Sequence, residues 1–256
     1  MRLLVSVRSE EEVAAALDGG ADIIDAKEPS HGSIGAVSPS VLGRIIERVP
    51  AEHPLSIALG DVANPRQVEL AISALDLPRR IGPIYLKVGF ATVTSPYAVA
   101  ELLRTAVQAA ARHSAFPHLI AVAYADYSLA QTVEAEAIMA AALDAGCAGI
   151  LLDTFGKIGG NLLTWYPPDA LARWIADGRE NGLLTAIAGG LGTREVAGVS
   201  ALEPDVLGVR GAACDGGRTG VLNSTRVAQL RALLRPTSGF LQEAGLPAPE
   251  LGSRKA

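Results

Sequence analysis

The sequence predicts a (β/α)8 barrel, and three observations carry that prediction. Eight short apolar runs alternate with eight helix-period segments across about 235 residues, the number, order and length such a barrel needs. The runs are continuously apolar rather than alternating, as parallel strands buried on both faces are. An open doubly wound sheet often carries a glycine fingerprint after its first strand, whereas that turn here reads Arg8-Ser9-Glu10.

In chain order, a strand at residues 3–7 leads to a helix at 10–18, and a strand at 22–26 to a helix at 39–48 started by Ser38-Pro39-Ser40. The third pair spans 55–59 and 65–75, with Asn64-Pro65 as the start signal. The fourth spans 84–88 and 96–112, entered through Ser95-Pro96. Strands at 119–123, 149–152, 184–188 and 206–209 pair with helices at 129–145, 168–181, 194–201 and 224–234, the last entered through Asn223-Ser224-Thr225. Residues 1–235 are read as one barrel domain. From Pro236 the chain is rich in Pro and Gly and breaks the alternation, so 236–256 is read as a tail.

Composition narrows the class. The net charge of −5 and the lack of a basic stripe argue against nucleic acid. No apolar stretch approaches the ~18 residues of a membrane span, and the N-terminus enters a strand without a signal pattern. Cys147 and Cys214 form no CxxC pair, and His31, His53, His113 and His118 fall in no ligand pattern. A soluble cytoplasmic enzyme, assembled as a homo-oligomer and acting on a small molecule, is expected.

Lysine usage is the sharpest chemical signal. Only four of the 22 basic residues are lysine: Lys27, Lys87, Lys157 and Lys255. Lys255 lies in the tail, and the other three follow the second, fourth and sixth strands. An Arg-rich coding bias would also thin lysine out, but the placement is specific. Active sites of such barrels sit at the C-terminal strand ends, and alternate strands share interior layers. Lys27, Lys87 and Lys157 are thus expected to face one volume, with Asp25 and Asp153 beside them. Asp25 and Lys27, two apart, share a face of their strand. Crowding and burial depress a lysine pKa; bringing one from ~10.4 to ~7 costs roughly 4–5 kcal/mol. A neutral amine attacks carbonyls, which arginine cannot do near neutral pH.

Glycine-rich segments follow strands seven and eight: AIAGGLGT (186–193) and VRGAACDGGRTG (209–220). Loops at these positions recurrently bind phosphate. Gly189, Gly190, Gly211 and Ala212 are expected to offer backbone N–H groups, and Arg210 a fork of donors. A third loop, Pro29-Ser30-His31-Gly32-Ser33-Ile34-Gly35, is read as a lid or a second phosphate contact.

Together GGADIIDAKEPSHGSIGA (19–36), GD (60–61), YLKVG (85–89), YAD (124–126), DAGCAGILLDTFGKIGG (144–160), AIAGG (186–190) and LGVRGAACDGG (207–217) resemble the (5-formylfuran-3-yl)methyl phosphate synthases of methanofuran biosynthesis. The resemblance covers residues 1 to about 235 and implies condensation of two molecules of glyceraldehyde 3-phosphate to a furan aldehyde phosphate, with loss of phosphate and water. It implies Lys27 as the Schiff-base lysine, acid–base roles for Asp25, Lys87, Asp153 and Lys157, and no metal or organic cofactor. Two features depart from the family pattern: Asp215 follows RGAAC where a basic residue is usual, which leaves phosphate contact there to the backbone and to Arg210 or Arg218, and the C-terminal tail is longer.

Overall fold

A computed structural model describes residues 1–156 and 160–234. Eight parallel strands close into a barrel in sequence order: β1 (Arg2–Val7), β2 (Ile23–Ala26), β3 (Leu55–Asp61), β4 (Ile84–Gly89), β5 (His118–Tyr124), β6 (Gly149–Asp153), β7 (Leu184–Ile187) and β8 (Val206–Val209). Closure is made by β8 against β1, with Leu3 opposite Leu207 and Val5 opposite Val209. Every expected strand is present to within two residues. The tail read at 236–256 and Lys157 lie outside the described residues.

The apolar runs are continuous because each strand feeds two cores. Along β1, Leu3, Val5 and Val7 pack outward into the sheet–helix layer, while Leu4 and Ser6 face the barrel axis. A second cluster, including Ile23, Ala58, Ile120, Val122 and Leu151, fills part of the interior.

Around the barrel run α1 (Glu11–Asp18), α2 (Pro39–Arg48), α3 (Pro65–Ser73), α4 (Pro96–Arg112), α5 (Tyr127–Ala130), α6 (Ala135–Ala145), α7 (Leu162–Trp165), α8 (Pro168–Glu180), α9 (Thr193–Ser200) and α10 (Ser224–Leu233). The sequence start signals act as caps: Ser38, Asn64, Ser95 and Asn223 each accept a backbone N–H from the first turn that follows. The single helix expected over 129–145 is instead two. Gln131 takes a left-handed conformation with φ of 51°, and Thr132 Oγ1 donates to the Val93 carbonyl, so the chain breaks there and restarts at α6.

Beyond β8 the glycines serve a turn as much as a ligand. A hairpin of β9 (Cys214–Asp215) and β10 (Val221–Leu222) follows, with Gly216 and Gly217 at φ near 80°. A Cβ on Gly220 would lie 1.8 Å from the Asp215 carbonyl oxygen.

Candidate active site

A cavity of about 300 Å³ opens at the C-terminal end of the barrel. Asp25, Lys27, Lys87 and Asp153 line it together, so the even-numbered strands do bring their charged residues to one volume. All four are at least nine-tenths buried. Lys157 is outside the described residues.

Asp25 is the centre of this group. Lys87 Nζ lies 2.7 Å from its Oδ1, approaching off the direction of a good hydrogen bond, and Ser6 Oγ donates to its Oδ2 at 2.8 Å. Burial alone would raise the Asp25 carboxyl pKa; the charges of Lys87 and Lys27 outweigh it and hold the group below the usual carboxylate range. Asp25 is therefore ionised at neutral pH, with the Lys27 and Lys87 side chains beside it.

Asp153 is held from two sides. The Thr154 N–H donates to its Oδ1 at 2.7 Å, and Ser33 Oγ lies 2.8 Å from both its Oδ2 and the Thr154 carbonyl oxygen. Ser33 belongs to the loop after β2, which folds down over the barrel: Ser33 and Ile34 are each 1% exposed. Arg218 donates from the β9–β10 turn to the Gly32 carbonyl, pinning that loop from above. The loop after β2 thus packs against the barrel end through Ser33 and Ile34.

Next along the chain, Asp126 accepts the N–H groups of Phe155 and Gly156, both at 2.7 Å. It anchors the segment leading directly to Lys157. Asp126→Asn replaces one acceptor oxygen with an amide donor facing a backbone N–H. Leaving that part-buried donor unpaired should lower stability by about 1 kcal/mol, measured by urea unfolding; an unchanged unfolding midpoint would contradict the anchoring role.

The glycine-rich loops after β7 and β8 border the cavity, but the Arg210 donors are committed elsewhere. Gly189, Gly190, Gly211 and Ala212 line the cavity, and no acceptor among the described residues takes the N–H of Gly190, Gly211 or Ala212. Gly189 has φ of 112°, and a Cβ there would lie 3.0 Å from Thr154, so the backbone comes this close only as glycine. Arg210 also borders the cavity, but its donors are spent. Its two terminal nitrogens grip both oxygens of the Glu12 carboxylate and the carbonyls of Ser6 and Gly220, and Nε donates to the Arg218 carbonyl. These five bonds exhaust the guanidinium. Arg210 closes the barrel, while Arg218 also borders the cavity, and its one hydrogen bond among the described residues goes to Gly32.

Asp215 does not intrude on this end. Asn223 and Arg226 hold its carboxylate at 2.7 and 2.6 Å on the outer side of the hairpin. Both cysteines are poor nucleophiles: burial raises the Cys214 thiol pKa and pushes that of Cys147 up to about 12.

Sequence reasoning passed over Ser6, named Ser33 only as part of the loop after β2, and named Asp61 and Tyr124 only within the GD and YAD motifs, without pairing them. Tyr124 donates to Asp61 Oδ1 at 2.9 Å, and the same oxygen accepts the Ala91 N–H. Burial and then the Asp61 charge raise the Tyr124 pKa well above its ordinary value, so the phenol keeps its proton and its hydrogen bond braces the strand ends. The GD and YAD motifs were the available signal for it.

A family model described as 4-HFC-P synthase matches residues 3–231. The chain is 34% identical over 237 residues to a (5-formylfuran-3-yl)methyl phosphate synthase of Methanothermobacter thermautotrophicus, covering 91% of this chain and 99% of that one. It is also 34% identical over 238 residues to the protein of the same name from Methanocaldococcus jannaschii, covering 92% and 100%. Among solved structures, phosphoribosyl anthranilate isomerase from Thermotoga maritima matches with a TM-score of 0.61 at 17% identity, covering 91% of this chain and 98% of its own. That last likeness speaks to the barrel fold alone.

Proposed function

The chain belongs to the 4-HFC-P synthase family, and from that premise we propose that it condenses two molecules of glyceraldehyde 3-phosphate into (5-formylfuran-3-yl)methyl phosphate for methanofuran biosynthesis, through an imine at Lys27. The observation that carries this reading is the cavity itself. Two buried lysines and two buried aspartates line one space, which is also bordered by the Gly190, Gly211 and Ala212 N–H groups that meet no acceptor among the described residues.

In this mechanism the Lys27 amine attacks the aldehyde carbon and water departs, leaving a protonated imine. Asp25 stays ionised two residues away on the same strand face, so it offsets the iminium charge. The imine acidifies the adjacent C–H, and loss of that proton gives the carbon nucleophile that attacks the second aldehyde. Ring closure and the departure of phosphate and water then require repeated proton transfers. Lys87, Asp153 and, from the sequence, Lys157 are the groups assigned to them. The backbone of Gly189, Gly190, Gly211 and Ala212, with Arg218, receives a phosphate group.

The test is incubation with glyceraldehyde 3-phosphate while the furan aldehyde chromophore is followed. Its appearance supports the condensation; a Lys27 adduct with no chromophore would instead indicate a simple aldolase. Arg218→Ala should raise KM for glyceraldehyde 3-phosphate by about 10- to 100-fold, the worth of a charge-assisted contact of ~1.5–3 kcal/mol. An unchanged KM would remove Arg218 from the phosphate site.

A further inference from the structure

The cavity does not stop at the amine cluster. It continues down the barrel axis past Ser56 and Tyr85 to Leu4 and Val206. Barrel interiors of this class are normally packed in side-chain layers. Here the small side chains of Ser6, Ser56 and Ala186, with Gly208, leave the axis open beside Asp25.

Ser56 stands out within that space. On β3 it is in register with Asp25 on one side and Tyr85 on the other. Ser6 flanks Asp25 from the opposite strand, also in register, and its hydroxyl is spent on the Asp25 carboxylate. Ser56 is 1% exposed, borders the cavity, and its Oγ has no hydrogen-bond partner among the described residues. A buried hydroxyl left so costs about 1–3 kcal/mol, a cost that a bound polar group removes.

We propose that Ser56 is a substrate-positioning residue, its hydroxyl hydrogen-bonding the chain hydroxyl of the triose held at Lys27. The inference rests on the proposed imine reading. With the phosphate at the glycine loops of the mouth, the carbon chain points inward, and Ser56 sits at the depth of Asp25, just below Lys27 on the neighbouring strand. A hydroxyl there fixes the rotation of the bound chain, and with it which C–H faces the proton acceptors.

The experiment pairs two proteins with two aldehydes. Wild type and Ser56→Ala are incubated with glyceraldehyde 3-phosphate or with 3-phosphooxypropanal, which lacks the chain hydroxyl. Borohydride-fixed Lys27 adduct is quantified against aldehyde concentration. Ser56→Ala should weaken half-saturation by glyceraldehyde 3-phosphate about 10- to 100-fold and leave that by 3-phosphooxypropanal within about twofold. Equal losses on both aldehydes, or no loss on either, overturn the proposal; the first is the signature of a structural serine or of an ordered water. Absence of adduct in the wild type overturns the imine reading and this inference with it. If Ser56→Ala folds poorly, Ser56→Cys keeps the volume, weakens the donor, and carries the same comparison. Ser56→Thr, which keeps the hydroxyl, should restore discrimination between the two aldehydes.

Discussion

Lys27→Arg should abolish furan formation, by on the order of 10⁴-fold or more, and should abolish the borohydride-fixed adduct. The substitution isolates the chemistry. Arginine keeps a positive charge beside Asp25, so the electrostatics that hold that carboxylate ionised survive. What disappears is an amine able to lose its proton and form a carbon–nitrogen double bond. Lys87 does not substitute for it in this reading, because its Nζ is already held 2.7 Å from Asp25 Oδ1. The measurement is mass-spectrometric mapping of the adduct on wild type and variant, with thermal unfolding to show that the variant is folded. An adduct mapped to Lys87, or furan formation retained in Lys27→Arg, would overturn the assignment.

Glu12→Gln and Arg210→Met should each cost stability rather than substrate affinity. The pair is buried, with side chains 7% and 4% exposed. Breaking a buried ion pair by removing one partner strands the other charge, a loss of about 3–5 kcal/mol. For a chain of this size that is roughly a 6–20 °C fall in unfolding midpoint. The large value is expected because Arg210 joins four places at once: Glu12 on α1, the end of β1 at the Ser6 carbonyl, and the Arg218 and Gly220 carbonyls of the β9–β10 turn. It latches the last strand to the first. Calorimetry on the variants checks the midpoint, and KM for glyceraldehyde 3-phosphate in folded variants checks the rest. A normal midpoint with a steeply raised KM for Arg210→Met would return Arg210 to the phosphate site.

Arg210 also shows why part of the site was hidden. In the sequence it ends the eighth strand beside glycines, where an anion-binding fork belongs. Its true partner, Glu12, is 198 residues away and looks like an ordinary charge in the first turn of a helix. Nothing local distinguishes an arginine that reaches outward to a ligand from one that reaches across the closure seam. The serines were hidden for a different reason. Ser6, Ser33 and Ser56 are small and common, and each matters only because of what closure places opposite it: Asp25, Asp153 and an open axis. The break at Gln131 escaped because the helical pattern continues through it, while the Thr132 contact that breaks the helix comes from Val93, 39 residues earlier.

By itself the sequence determined the barrel and the meeting of Lys27 and Lys87 at one volume. Burial of every strand on both faces writes an uninterrupted apolar run, and helix starts write their caps, so both are local and readable. Once eight such strands are counted, the even-strand positions of Lys27, Lys87 and Asp153 imply a shared interior volume, which the cavity bears out. Only the tertiary structure decided which polar groups are spent and which are left. Hydrogen-bond saturation is a property of pairs brought together by closure: it exhausts Arg210, and among the described residues it leaves the Gly211 and Ala212 N–H groups and the Ser56 hydroxyl, which border the cavity, without a partner.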